Sequence, residues 1–255
     1  LMLTVVMHYG GGRSLSVRPR SHSRSSSGGA LRAAHFTLPP PVVRFFIIAL
    51  RTLVSMLRLD TNIVPVVLGS DALQMEFHHL LSHLLLHVTN TVQKQHPSKD
   101  RLLYPLLDSL FTLIGLYTLH CNANQETFSW GKNPTPLQQL CSLPFRFYCD
   151  PKLRSLLLPT IAAASFGNAR SLQIVANELS PRMLADFIRE KENGYVIDET
   201  VGSAAVSDEA SAGGAAAAIA RTLDVYSWRY FDSRIPRQYW SAMCEEFDEA
   251  AQQRY

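Results

Sequence analysis

The pattern that most constrains the fold is a helical spacing of apolar residues that begins at Val42. Large apolar side chains recur there at steps of three and four, which places them on one face of an α-helix. They are Val43, Phe46, Leu50, Leu53, Val54 and Leu57, and the segment 71–93 repeats the spacing with Leu73, Phe77, Leu80, Leu81, Leu84 and Val88. Because no segment alternates apolar and polar residues over a convincing length, the sequence predicts an all-α protein.

The segment 101–120 is the most apolar part of the chain and is predicted to form the central helix. Residues 102–119 reach the lower length limit for a membrane span. However, this stretch contains Asp108, and a carboxylate in the middle of a bilayer is costly. We therefore predict a buried core helix and no transmembrane segment. Shorter helices are predicted near residues 137–147, 151–166 and 172–191.

Repeated amphipathic helices joined by short turns are typical of stacked helical solenoids. No strict repeat length runs through the sequence, as is typical of degenerate arrays of the armadillo type. The predicted fold is therefore an irregular armadillo-like helical solenoid with disordered inserts. An irregular helical bundle is the structural alternative.

Two low-complexity stretches divide the chain. Residues 10–30 contain 5 Gly, 7 Ser and 4 Arg without an acidic residue, and residues 203–220 contain nine Ala. Such compositions bury too little apolar surface to offset the entropy of ordering. The predicted divisions are the end of a truncated preceding helix (1–9), a disordered basic loop (10–41), a helical-repeat domain (42–192), a flexible Ala/Gly-rich insert (193–220) and a C-terminal helix pair (221–255).

Charge and cysteine content favour a cytoplasmic protein without strong electrostatic specialisation. The 24 Lys and Arg residues against 21 Asp and Glu residues give a formal net charge of +3, which indicates neither a strongly basic nucleic-acid binder nor an acidic solvating chain. The four cysteines have no C-x-x-C spacing, which favours reduced thiols over a disulfide framework. The apolar residues 1–7 lack a preceding basic region and do not resemble a signal peptide.

Histidines at positions 78, 79, 83 and 87 are the only pattern that suggests a metal. Steps of four bring His79, His83 and His87 near one helix face, where imidazoles could share an ion. No carboxylate base lies between them in an H-E-x-x-H arrangement, so solvated or packing histidines are the favoured interpretation. Cys121 is only a sequence neighbour of His120, and phosphate-loop and nucleophile motifs are absent. The sequence therefore predicts no enzyme activity and no cofactor.

Arginines supply the candidate binding residues. Arg44, Arg51 and Arg58 follow one another at steps of seven and so share one helix face, which is a candidate for partner or RNA contact. The basic tract 18–24 could contact phosphates without sequence specificity.

Four aromatic residues near the C-terminus, Trp228, Tyr230, Tyr239 and Trp240, have two interpretations. They could anchor a protein interface, because Trp and Tyr are enriched at such sites. Packing of the last pair of helices is the favoured alternative.

A set of ordered motifs resembles one known family. They are Leu140–Phe147, Asp150–Leu153, Leu157–Pro159, Arg44-Phe45-Phe46, residues 102–124, residues 131–140, residues 235–240 and residues 2–10. Together they are similar to the C-terminal helical region of the S phase cyclin A-associated proteins of the endoplasmic reticulum. The resemblance covers residues 42–192 well and the ends loosely, and it omits both low-complexity stretches.

The resemblance implies a location and partners but no chemistry. It implies a large protein at the cytosolic face of the endoplasmic reticulum. Members of the family are implied to bind cyclin A with its kinase and to be linked to control of tubulin messenger RNA at ribosomes. The zinc-finger segment and coiled coil of the family have no counterpart here, so zinc binding is not carried over. A weak cyclin-docking candidate is Arg13, Leu15 and Val17, but Arg-x-Leu occurs seven times in the chain and does not discriminate.

These observations predict a non-catalytic scaffold for protein–protein interaction. The alternative is an RNA- or ribosome-binding helical module that uses the basic faces. A metal enzyme built on the histidines ranks third.

Overall fold

The secondary structure is helical in every part of the chain that the computed structural model describes, namely residues 38–60, 63–70, 72–94, 101–119, 121–131, 133–202 and 234–253. The helices are α1 (Pro40–Leu59), α2 (Ile63–Leu68), α3 (Gln74–Lys94), α4 (Leu103–Thr118), α5 (Asn122–Phe128), α6 (Pro136–Cys141), α7 (Arg146–Cys149), α8 (Pro151–Ser165), α9 (Ala169–Glu178), α10 (Pro181–Gly202) and α11 (Trp240–Gln252), with a 3₁₀ turn at Arg237–Tyr239. The all-α prediction is confirmed, whereas an armadillo-like stacking of these helices stays a prediction.

Helix α4 lies at the centre of the molecule. Thirteen of its 16 residues are buried, because its apolar side chains face α1 on one side and α8 on another. Smaller contact areas with α2, α3 and α5 add to its burial. A helix that is apolar all round is stable in this position, so the predicted core helix is confirmed. Among the helices of the described ranges, none is long and apolar enough to cross a membrane.

Helix α1 begins at Pro40, slightly before the predicted boundary between loop and helical domain. Proline is tolerated in the first helical turn because its missing N–H has no partner there. The predicted apolar stripe is buried, with Ile47 as an addition and Leu53 half-buried. Just before the helix, the backbone N–H of Leu38 donates to Nδ1 of His87 over 3.1 Å and ties the start of α1 to α3.

Side-chain caps mark the starts of α6, α8 and α9. Thr135 and Gln138 form a reciprocal capping box at α6, since each side chain bonds the backbone of the other residue. The Asp150 carboxylate accepts from two backbone N–H groups at the start of α8, and Asn168 caps α9. These caps satisfy N–H groups that a helix start leaves without partners.

Helix α10 extends further than the sequence predicts. The sequence predicts a helix that ends near residue 191 and an insert that begins at Asn193, where Asn193 and Gly194 disfavour a helix, but α10 continues to Gly202. A single glycine within a helix costs only about 1 kcal/mol relative to alanine, which neighbouring helix formers can offset. Helix α11 packs against α10. The predicted segment 1–9, residues 10–37 of the predicted loop 10–41, and the first helix of the predicted C-terminal pair lie outside the described residues.

Arg234 fastens the segment before α11 to the core. Its side chain is only 4% exposed. One guanidinium nitrogen donates to the Leu156 carbonyl of α8 over 2.8 Å, and another donates to Oγ1 of Thr112 of α4 over 2.6 Å. The Asp108 carboxylate lies 3.5 Å from the same guanidinium. This arginine therefore joins the C-terminal segment to both α4 and α8.

Asn124 fastens α2 to the core in a similar way. Its buried side-chain amide donates to the carbonyls of Pro65 and Tyr117 over 3.2 and 2.9 Å. Gly69, just after α2, lies so close that a Cβ there would overlap Oδ1 of Asn124. The position of α2 thus depends on one amide and on the absence of a side chain at residue 69.

A double-mutant cycle tests this contact. We expect Asn124→Ala to lower the free energy of unfolding by about 1–3 kcal/mol, because two buried hydrogen bonds are lost. The Pro65 carbonyl keeps the bond that it accepts from the Gly69 N–H. Gly69→Ala alone is expected to cost about 1–3 kcal/mol through overlap with the amide. In the double variant the overlap is gone, so urea unfolding is expected to give a total cost below the sum of the two. Additive costs would contradict the close approach.

Candidate interaction surface

The three predicted arginines lie on the exposed side of α1. Arg44, Arg51 and Arg58 are all exposed, and each step of seven residues turns only about 20° around the helix axis, so that the three lie within about 40°. The buried side of α1, with Phe46 and Leu50, packs in the core, where α1 contacts α4. The guanidinium groups therefore point away from the core in a row along the helix.

An apolar stripe runs beside this row of arginines. Phe45, Ile48, Met56 and Leu59 are all exposed, with 67% of Ile48 and 89% of Leu59 accessible to solvent. Their spacing of three, eight and three residues keeps them on one side of the helix. The sequence analysis did not predict this stripe, because these residues resemble the other apolar residues of the helix. The one sequence feature that indicates it is Ile48, an apolar residue that lies between two arginines of the polar face.

The hydroxyl groups on this side of α1 are bonded to the helix itself. Oγ1 of Thr52 donates to the carbonyl of Ile48, and Oγ of Ser55 donates to the carbonyl of Arg51. Both bonds have the i to i−4 pattern common for Ser and Thr within helices. The chemistry that α1 presents is therefore dominated by guanidinium groups and apolar side chains.

Helix α2 extends the apolar surface. Val66 and Val67 are exposed, Val66 to 68%, and α2 packs against α1. The Asn124 amide holds the Pro65 carbonyl of this helix in place. We call the combined area the α1–α2 surface; it consists of Arg44, Phe45, Ile48, Arg51, Met56, Arg58, Leu59, Val66 and Val67.

The local charge of this part of the chain is positive. Within residues 38–60 and 63–70 the charged side chains are the three arginines of α1 and Asp60. Several like charges along one helix raise the local concentration of anionic partners and the rate at which they associate. The α1–α2 surface thus combines a positive potential with exposed apolar area, and such a combination is a common property of binding surfaces.

The histidines of α3 do not share one environment. His79 is exposed, His83 is half-buried and His87 is buried, because each step of four residues turns about 40° around a helix. His78 is buried beside Gly131, and His87 accepts the Leu38 N–H. Among the described residues, no group of three or more His, Cys, Asp or Glu side chains is placed to hold a metal ion.

Two of these histidines make stability depend on pH. Burial lowers the pKa of His78 and of His83 below 6.5, and the nearby His79 lowers both further. The unfolded chain therefore binds more protons than the folded chain in this pH range. The free energy of unfolding should fall as the pH drops below about 6.5. Urea unfolding between about pH 7.5 and pH 5.5 measures this effect. A smaller slope is expected in His78→Gln, whereas an unchanged slope would contradict the assignment.

The cysteines with strongly shifted pKa values are poor nucleophiles. Burial raises the pKa of Cys141 to about 12 and that of Cys244 to about 11. Because the thiolate is the reactive form, these two side chains stay protonated at neutral pH. Cys149 is exposed and Cys121 is half-buried, and all four cysteines carry free thiols.

A cleft of about 610 Å³ lies between the start of α10 and the end of α11, lined by Ser180, Pro181, Arg182, Arg189, Asp248, Ala251 and Gln252. Arg189 forms ion pairs with Asp248 and Asp186, and Arg182 lies 4.0 Å from Asp186. Of the charged residues that line this cleft, Arg189 and Asp248 are paired with each other.

The C-terminal aromatic residues divide between core and undescribed positions. Trp240 is buried, and its indole N–H donates to the Ile235 carbonyl over 2.8 Å. Tyr239 is half-buried with its ring near that of Phe166. Trp240 thus packs in the core, and Tyr239 packs against it. Trp228 and Tyr230 lie outside the described residues, as do the docking candidates Arg13, Leu15 and Val17 and the basic tract 18–24.

The described part of the chain is thus an all-α module with an exposed basic and apolar surface. No protein-family model matches the chain. Over 124 residues it is 32% identical to the human protein named S phase cyclin A-associated protein in the endoplasmic reticulum. The match covers 49% of this chain and 8% of that protein's length, which supports a partial and distant relationship.

Proposed function

We propose that this chain is a non-catalytic module for protein–protein interaction, and that its helices stack in an armadillo-like manner. The observation that carries this proposal is the α1–α2 surface, where exposed apolar side chains lie beside three exposed arginines. The high pKa values of Cys141 and Cys244 support a role without covalent chemistry at these thiols.

The related human protein suggests the setting of the module. That protein is named for association with cyclin A and for the endoplasmic reticulum. By extension we propose that this chain works in a cyclin A-associated protein at the cytosolic face of the endoplasmic reticulum. Cyclin A with its kinase is then a partner of the assembly, through this module or through another part of it.

Affinity capture from cytosolic extract tests the proposal. The full chain serves as bait, with and without ribonuclease, beside the variant Arg44→Gln/Arg51→Gln/Arg58→Gln. We expect protein partners that survive ribonuclease and that bind the triple variant more weakly. A matched control changes three exposed arginines elsewhere, as Arg101→Gln/Arg170→Gln/Arg182→Gln, and is expected to keep the partners. Capture of no protein above background would contradict the proposal.

Binding of RNA or of ribosomes is the second candidate function, and the row of exposed guanidinium groups on α1 favours it. Binding through phosphate contacts weakens steeply with salt as counterions rebind. RNA retention that falls steeply with salt and is lost in the triple arginine variant would support this candidate. Ribosomal proteins that disappear from the capture after ribonuclease treatment would move it to first place.

A further inference from the structure

From the α1–α2 surface we infer the class of its partner: an acidic amphipathic helix of another protein. This inference rests on the proposed function and narrows it to one surface and one kind of ligand. It follows from the shape of the apolar stripe, the spacing of the arginines and the arrangement of the rest of α1.

The apolar stripe has the geometry of a contact between helices. Phe45, Ile48, Met56 and Leu59 form a ridge along α1, interrupted at Thr52, whose hydroxyl is bonded to the helix backbone. Ridges of residues three and four apart are the elements that pack into the grooves of a second helix. Val66 and Val67 add exposed apolar surface from α2, a second helix whose Pro65 carbonyl is bonded to the Asn124 amide. A partner helix with its own apolar ridge would cover this area.

The arginines specify the charge of that helix. Seven residues of α-helix rise by about 10 Å, so Arg44, Arg51 and Arg58 place three guanidinium groups at two-turn intervals. Carboxylates at the same interval on a helix lying alongside α1 would meet each group in turn. Arginine binds carboxylates through paired, charge-assisted hydrogen bonds, which fix orientation as well as affinity.

The surface fits RNA and membranes less well. Sequence-tolerant binding of single strands relies on aromatic platforms for bases, whereas Phe45 is the one aromatic residue among the exposed apolar residues of this surface. Membrane-surface helices direct their broad apolar face to the lipid. In α1 that face, with Phe46, Leu50 and Leu57, is buried in the core.

Selection from a displayed library of helical peptides with randomised surface positions tests the inference on the full chain. We expect enriched peptides to combine apolar residues at steps of three and four with Asp or Glu. Their Kd, measured by fluorescence anisotropy, should rise by about tenfold or more in Arg44→Gln/Arg51→Gln/Arg58→Gln and in Ile48→Ser/Met56→Ser. The control variant Arg101→Gln/Arg170→Gln/Arg182→Gln should bind as the original chain does. Because the changed side chains are exposed, all variants are expected to keep their circular dichroism melting curves.

Three results would overturn the inference. The first is the absence of an acidic amphipathic consensus, or binding that neither surface variant weakens. The second is binding to phosphatidylserine vesicles that both surface variants abolish, which would assign the surface to anionic lipid. The third is a concentration-dependent dimer that both variants disrupt, which would assign it to a second copy. Peptides that bind elsewhere on the chain would overturn this inference and leave the proposed function standing, whereas a failed affinity capture would remove the proposed function itself.

Discussion

Replacing Arg234 with alanine is expected to lower the free energy of unfolding by about 2–4 kcal/mol, because two buried hydrogen bonds to a charged group are lost. The substitution removes the guanidinium that donates to the Leu156 carbonyl and to Oγ1 of Thr112, and it leaves the partly exposed Asp108 carboxylate without the positive charge 3.5 Å away. The Leu156 carbonyl keeps the hydrogen bond that it accepts from Oγ1 of Thr160. Both lost hydrogen bonds are buried, so the acceptors that remain regain little solvation. Urea unfolding followed by circular dichroism measures the loss.

The same experiment has a matched control in Arg170, an exposed arginine of α9. Arg170→Ala is expected to change the free energy of unfolding by less than about 0.5 kcal/mol. Limited proteolysis adds a second readout, since Arg234→Ala should speed cleavage within residues 234–253 before the core is cut. If Arg234→Ala and Arg170→Ala had equal effects, Arg234 would not fasten the C-terminal segment.

Replacing Phe111 with alanine is expected to cost a similar amount, about 3–5 kcal/mol. Phe111 lies on α4 and has no exposed surface, and its carbonyl accepts a hydrogen bond from Oγ1 of Thr160 on α8. Removal of the ring leaves a cavity at the contact of α4 with its neighbours, and close-packed interiors collapse only partly around such a cavity. The midpoint of urea unfolding should fall while its denaturant dependence stays unchanged.

Phe145 provides the control for this substitution, because 79% of its side chain is exposed. Phe145→Ala is expected to alter the free energy of unfolding by less than about 0.5 kcal/mol. A Phe111→Ala variant as stable as the original chain would mean that α4 is not the centre of the core.

The helices themselves were predictable because their apolar residues follow the helical period. The buried stripe of α1 follows from that spacing, and the burial of α4 follows from a segment that is apolar all round. The end of α10 was predicted wrongly, since Asn193 and Gly194 disfavour a helix without preventing one. Local pattern therefore predicted which segments are helical better than where each one ends.

The contacts that fasten the helices together were not predictable from the sequence. Nothing in the local sequence distinguishes Asn124 or Arg234 from other polar residues. Their roles depend on the fold, which places the Pro65 carbonyl beside Asn124 and the Thr112 hydroxyl beside Arg234. The row of arginines on α1 was predicted from its spacing, and the structure places all three residues at the surface. The apolar half of the α1–α2 surface was missed, because exposure of a residue such as Ile48 depends on which helices pack beside α1.

Hydrogen exchange of the full chain, with and without a captured protein partner, tests the central claim most directly. A partner helix on the α1–α2 surface should slow amide exchange in residues 40–59 and 63–68. The backbone amides of the residues that line the cleft between α10 and α11 should exchange at the same rate in both samples. Protection confined to that cleft, or no protection in α1 and α2, would contradict the account.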